Sequence, residues 1–322
     1  MLDGSWPQLP GRWEKTPQNW SDKIDNLQEG LGKFNQVLPH LPWIIGLDGE
    51  RRTFLVLLQN NMELRPTGGF IGSYAMLTFE NGQMTDFQVE NVYTADGQLK
   101  GHVEPPKEIK EILGEATWYL RDSNWNPDFP KSAANAEWFL DKELNRQFDG
   151  VIGFNLEAAK KIISGFGEIY LPDFNEKISA DNLFERAEFW SENESFPGSN
   201  QKEAFLGLLG QQLFENIKAA QPEEYTKIGQ AVLEGLEEKE IQVHTDNESL
   251  NQLLHQLNWS GRIRQPQCSL DNCFSDYLHL NEANLGVNKA NYFLRRSIEE
   301  GITIGDNGNI DHQLKINYEN AA

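Results

Sequence analysis

The stretch that decides the fold is residues 52–92, RTFLVLLQNNMELRPTGGFIGSYAMLTFENGQMTDFQVENV. It opens on a continuous apolar run, Arg52–Leu58, which is typical of a strand buried on both faces of a sheet. Two further strands, Ile71–Phe79 and Met84–Val92, are predicted on either side of Asn81-Gly82, a dipeptide typical of a tight hairpin turn. The segment therefore predicts three neighbouring strands, of which two form an antiparallel pair.

Downstream, helices alternate with one more buried strand, GVIGF at Gly150–Phe154. This alternation predicts an α/β fold, a three-layer α/β/α sandwich whose central sheet is mixed because it contains the hairpin. The predicted helices are Ser21–Val37, Lys107–Leu113, Ser132–Leu144, Leu156–Ser164 (capped by Asn155), Leu183–Trp190, Gln201–Ala219, Glu223–Glu238 and Leu250–Leu257.

From residue 276 the pattern changes to strands, which are predicted at Tyr277–Leu280, Asn291–Ile304 and Ile310–Asn317. We therefore predict three parts: a helical lead-in over residues 1–50, an α/β domain over 51–275 and a β-rich extension over 276–322. We expect the extension to be the start of a truncated module.

The charge balance limits the partners that the chain can have. Its 322 residues include 28 basic and 49 acidic ones, a net charge of −21. A field of this sign repels nucleic acid, which excludes a general DNA- or RNA-binding role. No run approaches the roughly 18 apolar residues of a membrane helix, and no signal peptide is recognisable.

The loop Gln59–Phe70 (QNNMELRPTGGF) follows the first strand, where α/β folds often place ligand sites. Arg65 is suited to hold an anion with two hydrogen bonds, and Gly68-Gly69 lets the backbone approach a ligand closely. The alternative is a tight turn in which Arg65 pairs with Glu63 or another carboxylate. The candidate ligand-binding residues of this loop are Asn60, Asn61, Arg65, Gly68 and Gly69.

A second polar segment, LRDSNWNPDFP at Leu120–Pro130, places charged residues among amide side chains. Asp122 and Asp128 are candidate ligands for Mg²⁺, which prefers oxygen donors and keeps several waters. In the alternative interpretation, this segment binds a phosphate through Arg121, and Asn124 contributes to the same site. A loop rich in Asx turns that satisfies only its own backbone remains the third interpretation.

Two cysteines, Cys268 and Cys273, stand in the segment QCSLDNCF. Four intervening residues suit a small disulfide loop, which predicts an oxidising compartment. Two reduced structural thiols are the alternative, and they are what a cytosolic α/β enzyme would require.

Four motifs together resemble a bacterial domain-of-unknown-function family, DUF4012, over about residues 52–320. They are LLQNNMELRPTGGFIGSY (57–74), LKGHVEPP (99–106), WYLRDSNWNPDFPKSAANAEWF (118–139) and FDGVIGFNLEAAKKI (148–162). The family occurs in large envelope proteins with an N-terminal membrane helix. The resemblance implies an extracytoplasmic domain, anchored in the full-length protein by a membrane helix that this chain lacks.

The family is distantly similar to the LytR-CpsA-Psr phosphotransferases, which pass a polyprenyl-pyrophosphate-linked glycopolymer to the cell wall with arginines and an Asp-bound Mg²⁺. That similarity implies phosphate contacts from Arg65 and Arg121, with Lys202 as the remaining base of the stretch Phe189–Lys202. Glu63 and Asp96 take the catalytic roles, and Mg²⁺ is the implied cofactor. The arginines expected in Phe189–Lys202 and near Asp96 are missing.

These observations favour an envelope domain that binds a phosphorylated polyprenyl-linked glycopolymer or an envelope glycan, without catalytic transfer. Aromatic residues of the second segment are candidates to stack on sugars, namely Trp118, Tyr119, Trp125 and Phe129. The alternatives are an active Mg²⁺-dependent glycopolymer phosphotransferase and a purely structural or adhesive surface protein.

Overall fold

The structure, a computed structural model, describes residues 29–192 and 201–321, apart from residues 31, 270–272, 274, 287–288 and 307. Most of the predicted helix Ser21–Val37 lies outside the described residues. Its described part, residues 29–30 and 32–37, is helical.

The strands, in chain order, are β1 (Arg52–Asn60), β2 (Phe70–Glu80), β3 (Gln83–Asn91), β4 (Gly150–Asn155), β5 (Glu168–Leu171), β6 (Glu176–Ser179), β7 (Ile241–Thr245), β8 (Leu294–Ile304) and β9 (Ile310–Asn320). Five of them form the central sheet in the order β3-β2-β1-β4-β7. β1 runs parallel to β4 and antiparallel to β2, and the two edge strands are antiparallel to their neighbours. The prediction of a mixed central sheet is confirmed.

The helices are α1 (Leu41–Ile44), α2 (Val92–Asp96), α3 (Phe129–Leu144), α4 (Leu156–Phe166), α5 (Leu183–Glu192), α6 (Gln201–Ala219), α7 (Pro222–Glu237) and α8 (Glu248–Gln256). On one face of the sheet, α2 and α3 share a core with Leu55, Leu57 and Tyr74. On the other face, α4 and α7 pack together around Ile162 and Ile228, with Phe154 of β4 beside them. The three-layer arrangement is therefore confirmed.

The continuous apolar run of β1 reflects burial on both of its faces. Leu55 and Leu57 point to the α3 side and are 0% exposed, while Phe54 and Val56 on the opposite side are 3% and 7% exposed. Burying each such side chain contributes about 1.5–3 kcal/mol. This strand is consequently a rigid support for the polar loop that follows it.

The hairpin between β2 and β3 turns where the sequence predicts. Asn81 and Gly82 have φ angles of 53° and 77°, the left-handed pair that a two-residue hairpin turn requires. Asn155 ends β4 and caps α4, because its Oδ1 accepts a hydrogen bond of 3.0 Å from the N–H of Ala158.

Several elements differ from the expectations, including β5, β6 and α1, which were not among the predicted strands and helices. The sequence interpretation missed β7, a five-residue strand at the edge of the sheet. The predicted third strand ends at Asn91, and Val92 begins α2 because Asn91 caps that helix. The strand predicted at Tyr277–Leu280 was wrong, since this segment joins no ladder among the described residues.

The C-terminal extension contains one hairpin, β8–β9, which confirms the β-rich character predicted there. Across the residues that the structure describes, no helix is both long and apolar enough to cross a membrane.

Candidate functional site

The polar loop that follows β1 folds back on itself. Gly68 has a φ of 140°, a backbone conformation that favours glycine. At Gly69 the loop passes close to the backbone of β1, and a Cβ there would lie 2.2 Å from the carbonyl carbon of Asn60. Position 69 therefore accommodates only glycine. The N–H of Phe70 donates to the carbonyl of Glu63 at 2.9 Å and thereby closes the loop. The loop faces the 3-10 turn Leu120–Trp125, and Asn124 joins the two by donating to the Gly69 carbonyl at 2.8 Å.

Arg65 lies in the centre of this junction with only 2% of its side chain exposed. Its Nη2 is 3.0 Å from Oε1 of Glu63, and its Nε is 3.4 Å from Oδ1 of Asp122. Its Nη1 donates to the backbone carbonyls of Leu64 (3.1 Å) and Asn284 (2.9 Å). Every guanidinium nitrogen is therefore occupied within the protein, which matches the tight-turn interpretation of the loop.

Arg121 forms the outer half of the same network and keeps 14% of its side chain exposed. Its Nη1 is 2.8 Å from Oδ2 of Asp96 and its Nη2 is 3.0 Å from Oε2 of Glu115. Its Nε lies 3.6 Å from Oδ2 of Asp122, so Asp122 connects the two arginines. The guanidinium lies against the ring of Tyr119, 4.3 Å from its centroid, with the more distant ring of Tyr93 at 5.6 Å.

The network carries more negative than positive charge. Two arginines face four carboxylates (Glu63, Asp96, Glu115 and Asp122), which gives a formal charge of −2 when all are ionised. Burial raises the pKa of Asp96 to about 6, against the opposing effect of its hydrogen bond with Arg121. Burial also raises the pKa of Asp122. Protonation of Asp96 relieves part of the excess charge in mildly acidic conditions.

Several buried polar atoms around the network have no hydrogen-bond partner in the part of the chain that the structure describes. They are Oδ1 of Asn61, Oδ1 of Asp96, Oγ of Ser123 and Oδ1 of Asn124. Oδ1 of Asp96 is a buried carboxylate acceptor on the side chain that pairs with Arg121. Buried oxygens of this kind commonly receive water or a ligand donor.

The candidate magnesium ligands do not share one environment. Asp122 uses both carboxylate oxygens on the two arginines, while Asp128 precedes α3 and accepts a hydrogen bond of 3.3 Å from the N–H of Ile263. Over residues 29–192 and 201–321, gaps aside, no group of three or more histidine, cysteine or acidic side chains could hold a metal ion. The donors present therefore do not fit a dedicated protein cage for Mg²⁺.

The remaining predicted residues have mostly structural contacts. Oδ1 of Asn60 accepts a hydrogen bond of 3.0 Å from the N–H of Met62. Lys202 lies in α6, but its side chain is not among the described ones. Cys268 and Cys273 are joined by a disulfide bond.

The aromatic residues predicted to stack on sugars differ in how far they are buried. Phe129 is 0% exposed in the core, so its predicted role in stacking on a sugar is wrong. Trp118 packs edge-on against Phe139 and donates from Nε1 to the carbonyl of Asp122, so it supports the turn. The exposed ring beside the network is that of Tyr93, which is 57% exposed and which the sequence interpretation missed. Nothing in its local sequence distinguishes Tyr93, because its position depends on the short helix α2.

Comparisons with known proteins place this site in a family context. Residues 48–188 match the model of a family described as protein of unknown function (DUF4012). No curated protein matches the sequence.

Solved structures resemble the chain at low sequence identity. Protein gbs0355 from Streptococcus agalactiae has 12% identity and a TM-score of 0.41, covering 70% of this chain and 81% of its own. TagV from B. subtilis has 11% identity and a TM-score of 0.39, and the match covers 70% of this chain and 90% of TagV. A LytR-Csp2A-Psr enzyme from Actinomyces oris has 12% identity and a TM-score of 0.39, and the match covers 70% of this chain and 84% of that enzyme. What this chain binds has to be inferred from its own residues.

Proposed function

Because residues 48–188 belong to the DUF4012 family, whose function is unknown, we propose a function from the site itself. The protein is a bacterial cell-envelope domain that binds a phosphorylated, polyprenyl-linked glycopolymer or a related envelope glycan without transferring it. It acts outside the cytoplasm, and a membrane helix in the longer protein anchors it. The disulfide between Cys268 and Cys273 agrees with an oxidising compartment.

The observation that carries this proposal is the unequal exposure of the two arginines. Arg65 is buried and fully hydrogen-bonded, so it holds the loop in place. Arg121 keeps 14% of its side chain exposed beside the exposed ring of Tyr93. A cationic edge and an exposed aromatic ring suit the phosphate and the sugar face of a phosphorylated glycan.

The same network argues against transfer. Stabilising a pyrophosphate during group transfer requires preorganised positive charge that faces the reacting atoms. Here both guanidinium groups already neutralise carboxylates, and the cluster keeps a formal charge of −2. A bound anion has to compete with these carboxylates for the edge of Arg121, which favours weak, reversible binding.

We expect polyprenyl monophosphate in detergent micelles to bind the protein, and Arg121→Ala to weaken this binding at least about tenfold, or about 1.4 kcal/mol. Tyr93→Ala is the second variant, because its exposed ring can be removed without disturbing the core. Arg186→Ala is the matched control, since this arginine pairs with Glu176 away from the network. Microscale thermophoresis measures the dissociation constants. Equal affinities for all three variants and the parent would contradict the proposal.

The predicted Mg²⁺ requirement is tested in the same assay. The excess negative charge of the network would attract a divalent cation, although the donors among the described residues form no dedicated cage. We expect Mg²⁺ to raise the affinity for polyprenyl phosphate, and Asp96→Asn to reduce that gain. Turnover of a lipid-linked glycopolymer to free polyprenyl phosphate and a transferred polymer would instead establish the phosphotransferase alternative.

A further inference from the structure

A polar cavity lies at the opposite end of β1 from the arginine network. It has a volume of about 380 Å³ and is lined by residues that include Arg51, Thr78, Asp86, Gln88 and Arg146. Thr53, Thr78 and Asp86 are cross-strand neighbours on β1, β2 and β3, so the cavity rests on the sheet. Thr53 and Gln59 are six residues apart on β1, which separates the two sites by roughly 20 Å.

The two arginines of this cavity have no ion-pair partner among the residues that the structure describes. The neighbouring Arg52 shows the usual situation in this acidic chain, because it pairs with both Asp48 and Asp149. Within the described ranges, the hydrogen-bond partner of the Arg146 guanidinium is a weak acceptor, the Sδ of Met76, 3.3 Å from its Nη1. Arg51 and Arg146 therefore present two uncompensated guanidinium groups to one cavity in a protein of net charge −21.

One carboxylate of the cavity is equally free of a cation. Asp86 accepts a hydrogen bond of 2.9 Å from Nε2 of Gln88, and no basic side chain in the described ranges lies within ion-pair distance of it. The lining thus offers two positive charges and one negative charge. A volume of this size is at the lower end of small-molecule sites, about 300–1,000 Å³.

We propose that this cavity is a binding site for a short acidic peptide with a free amino terminus. Two carboxylates of the ligand pair with Arg51 and Arg146, where guanidinium groups give charge-assisted hydrogen bonds. The ligand's ammonium group pairs with Asp86. The side chains of Gln88 and Gln147 remain as donors and acceptors for the peptide bond. This site is independent of the glycan-binding function proposed above.

The dipeptide alanyl-glutamate is the probe, because it carries two carboxylates and one ammonium group. We expect calorimetry to show saturable binding, which Arg51→Ala combined with Arg146→Ala weakens at least tenfold. The matched control is Lys142→Ala combined with Lys177→Ala, which removes the same charge from exposed positions outside the cavity. Both arginines are exposed, so the double variant is expected to fold, and its melting temperature verifies this.

The role of Asp86 distinguishes specific binding of the dipeptide from a general attraction of anions by the two arginines. N-acetylation of the dipeptide removes the ammonium group and is expected to weaken binding to the parent protein about tenfold. Asp86→Asn is expected to abolish this discrimination. Binding of inorganic phosphate as tight as that of the dipeptide, or affinities unchanged in the arginine double variant, would overturn the proposal. Unchanged binding of polyprenyl phosphate by the same double variant would show that the two sites are separate.

Discussion

Replacing Arg65 with alanine is expected to lower the free energy of unfolding by about 3–5 kcal/mol at pH 7. The substitution leaves the carboxylates of Glu63 and Asp122 buried without their shared cation, and it frees the carbonyls of Leu64 and Asn284. An unpaired buried charge costs more than the loss of the ion pair itself, because water cannot replace the missing partner.

Urea unfolding followed by circular dichroism measures this effect. Lys131→Ala is the control, since Lys131 is 67% exposed and its ion pair with Asp128 is expected to contribute less than about 1 kcal/mol. Adding Glu63→Gln and Asp122→Asn to Arg65→Met is expected to recover part of the loss, because the stranded charges are then neutral. A loss below 1 kcal/mol for Arg65→Ala would mean that Arg65 does not hold the loop.

This result also separates a structural arginine from a ligand-binding one. If Arg65 served mainly to hold an anion, its contacts with Glu63, Asp122 and the backbone carbonyls would be dispensable, and its removal would cost little stability. A large loss of stability in Arg65→Ala, together with retained polyprenyl phosphate binding by the triple variant Arg65→Met, Glu63→Gln and Asp122→Asn, which removes the charge of Arg65, supports Arg121 as the residue that faces the ligand.

The fold was predictable where the sequence shows a hydrophobic pattern or the residues of a tight turn. The apolar run of β1 and the Asn81-Gly82 turn specify the centre of the sheet, and GVIGF specifies β4. β7 is a five-residue edge strand between α7 and α8, so its place in the sheet depends on pairing with β4 alone. Its five residues, Ile241–Thr245, alternate apolar and polar side chains as a half-buried strand does, but the sequence interpretation missed so short a run between two helices.

The site was predictable as two polar segments but not as a network. Gln59–Phe70 and Leu120–Pro130 both stood out by composition, and the structure brings them into contact through Asn124 and Gly69. The partners of Arg65 include Asp122 and Asn284, which are 57 and 219 residues away in sequence. Which carboxylate neutralises which arginine is decided by packing, and no spacing rule gives that information.

Glu143→Gln is expected to stabilise the protein at pH 8 by roughly 1–3 kcal/mol, which allows for screening by solvent. Glu143 projects from α3 and is 8% exposed, and neither of its carboxylate oxygens has a hydrogen-bond partner of good geometry among the described residues. Burial raises the pKa of Glu143 to about 8 from its ordinary value of 4.5, and the negative charge of Asp96 adds to this effect. The protein therefore favours the neutral form, which a glutamine resembles in shape and charge.

The sign of the pH dependence follows from this raised pKa. Below pH 4.5 the folded and unfolded chains both hold the Glu143 proton, and the contribution of this group to stability is fully present. Between pH 4.5 and about pH 8 the unfolded chain loses the proton while the folded chain retains it, so the free energy of unfolding falls as pH rises.

Urea unfolding at pH 4.5, 6 and 8 tests this difference. The parent and Glu143→Gln are expected to have similar stability at pH 4.5 and to separate as pH rises, whereas Glu168→Gln, an exposed carboxylate on β5, follows the parent throughout. Part of the slope persists in Glu143→Gln, because burial also raises the pKa of Asp96 to about 6 and that of Glu137 to about 7. Parallel stability curves for the parent and Glu143→Gln would show that Glu143 is ionised in the folded protein. The carboxyl would then need a cation or ordered water beside it, and α3 would carry a charged group next to Asp96 and Arg121 rather than a neutral one.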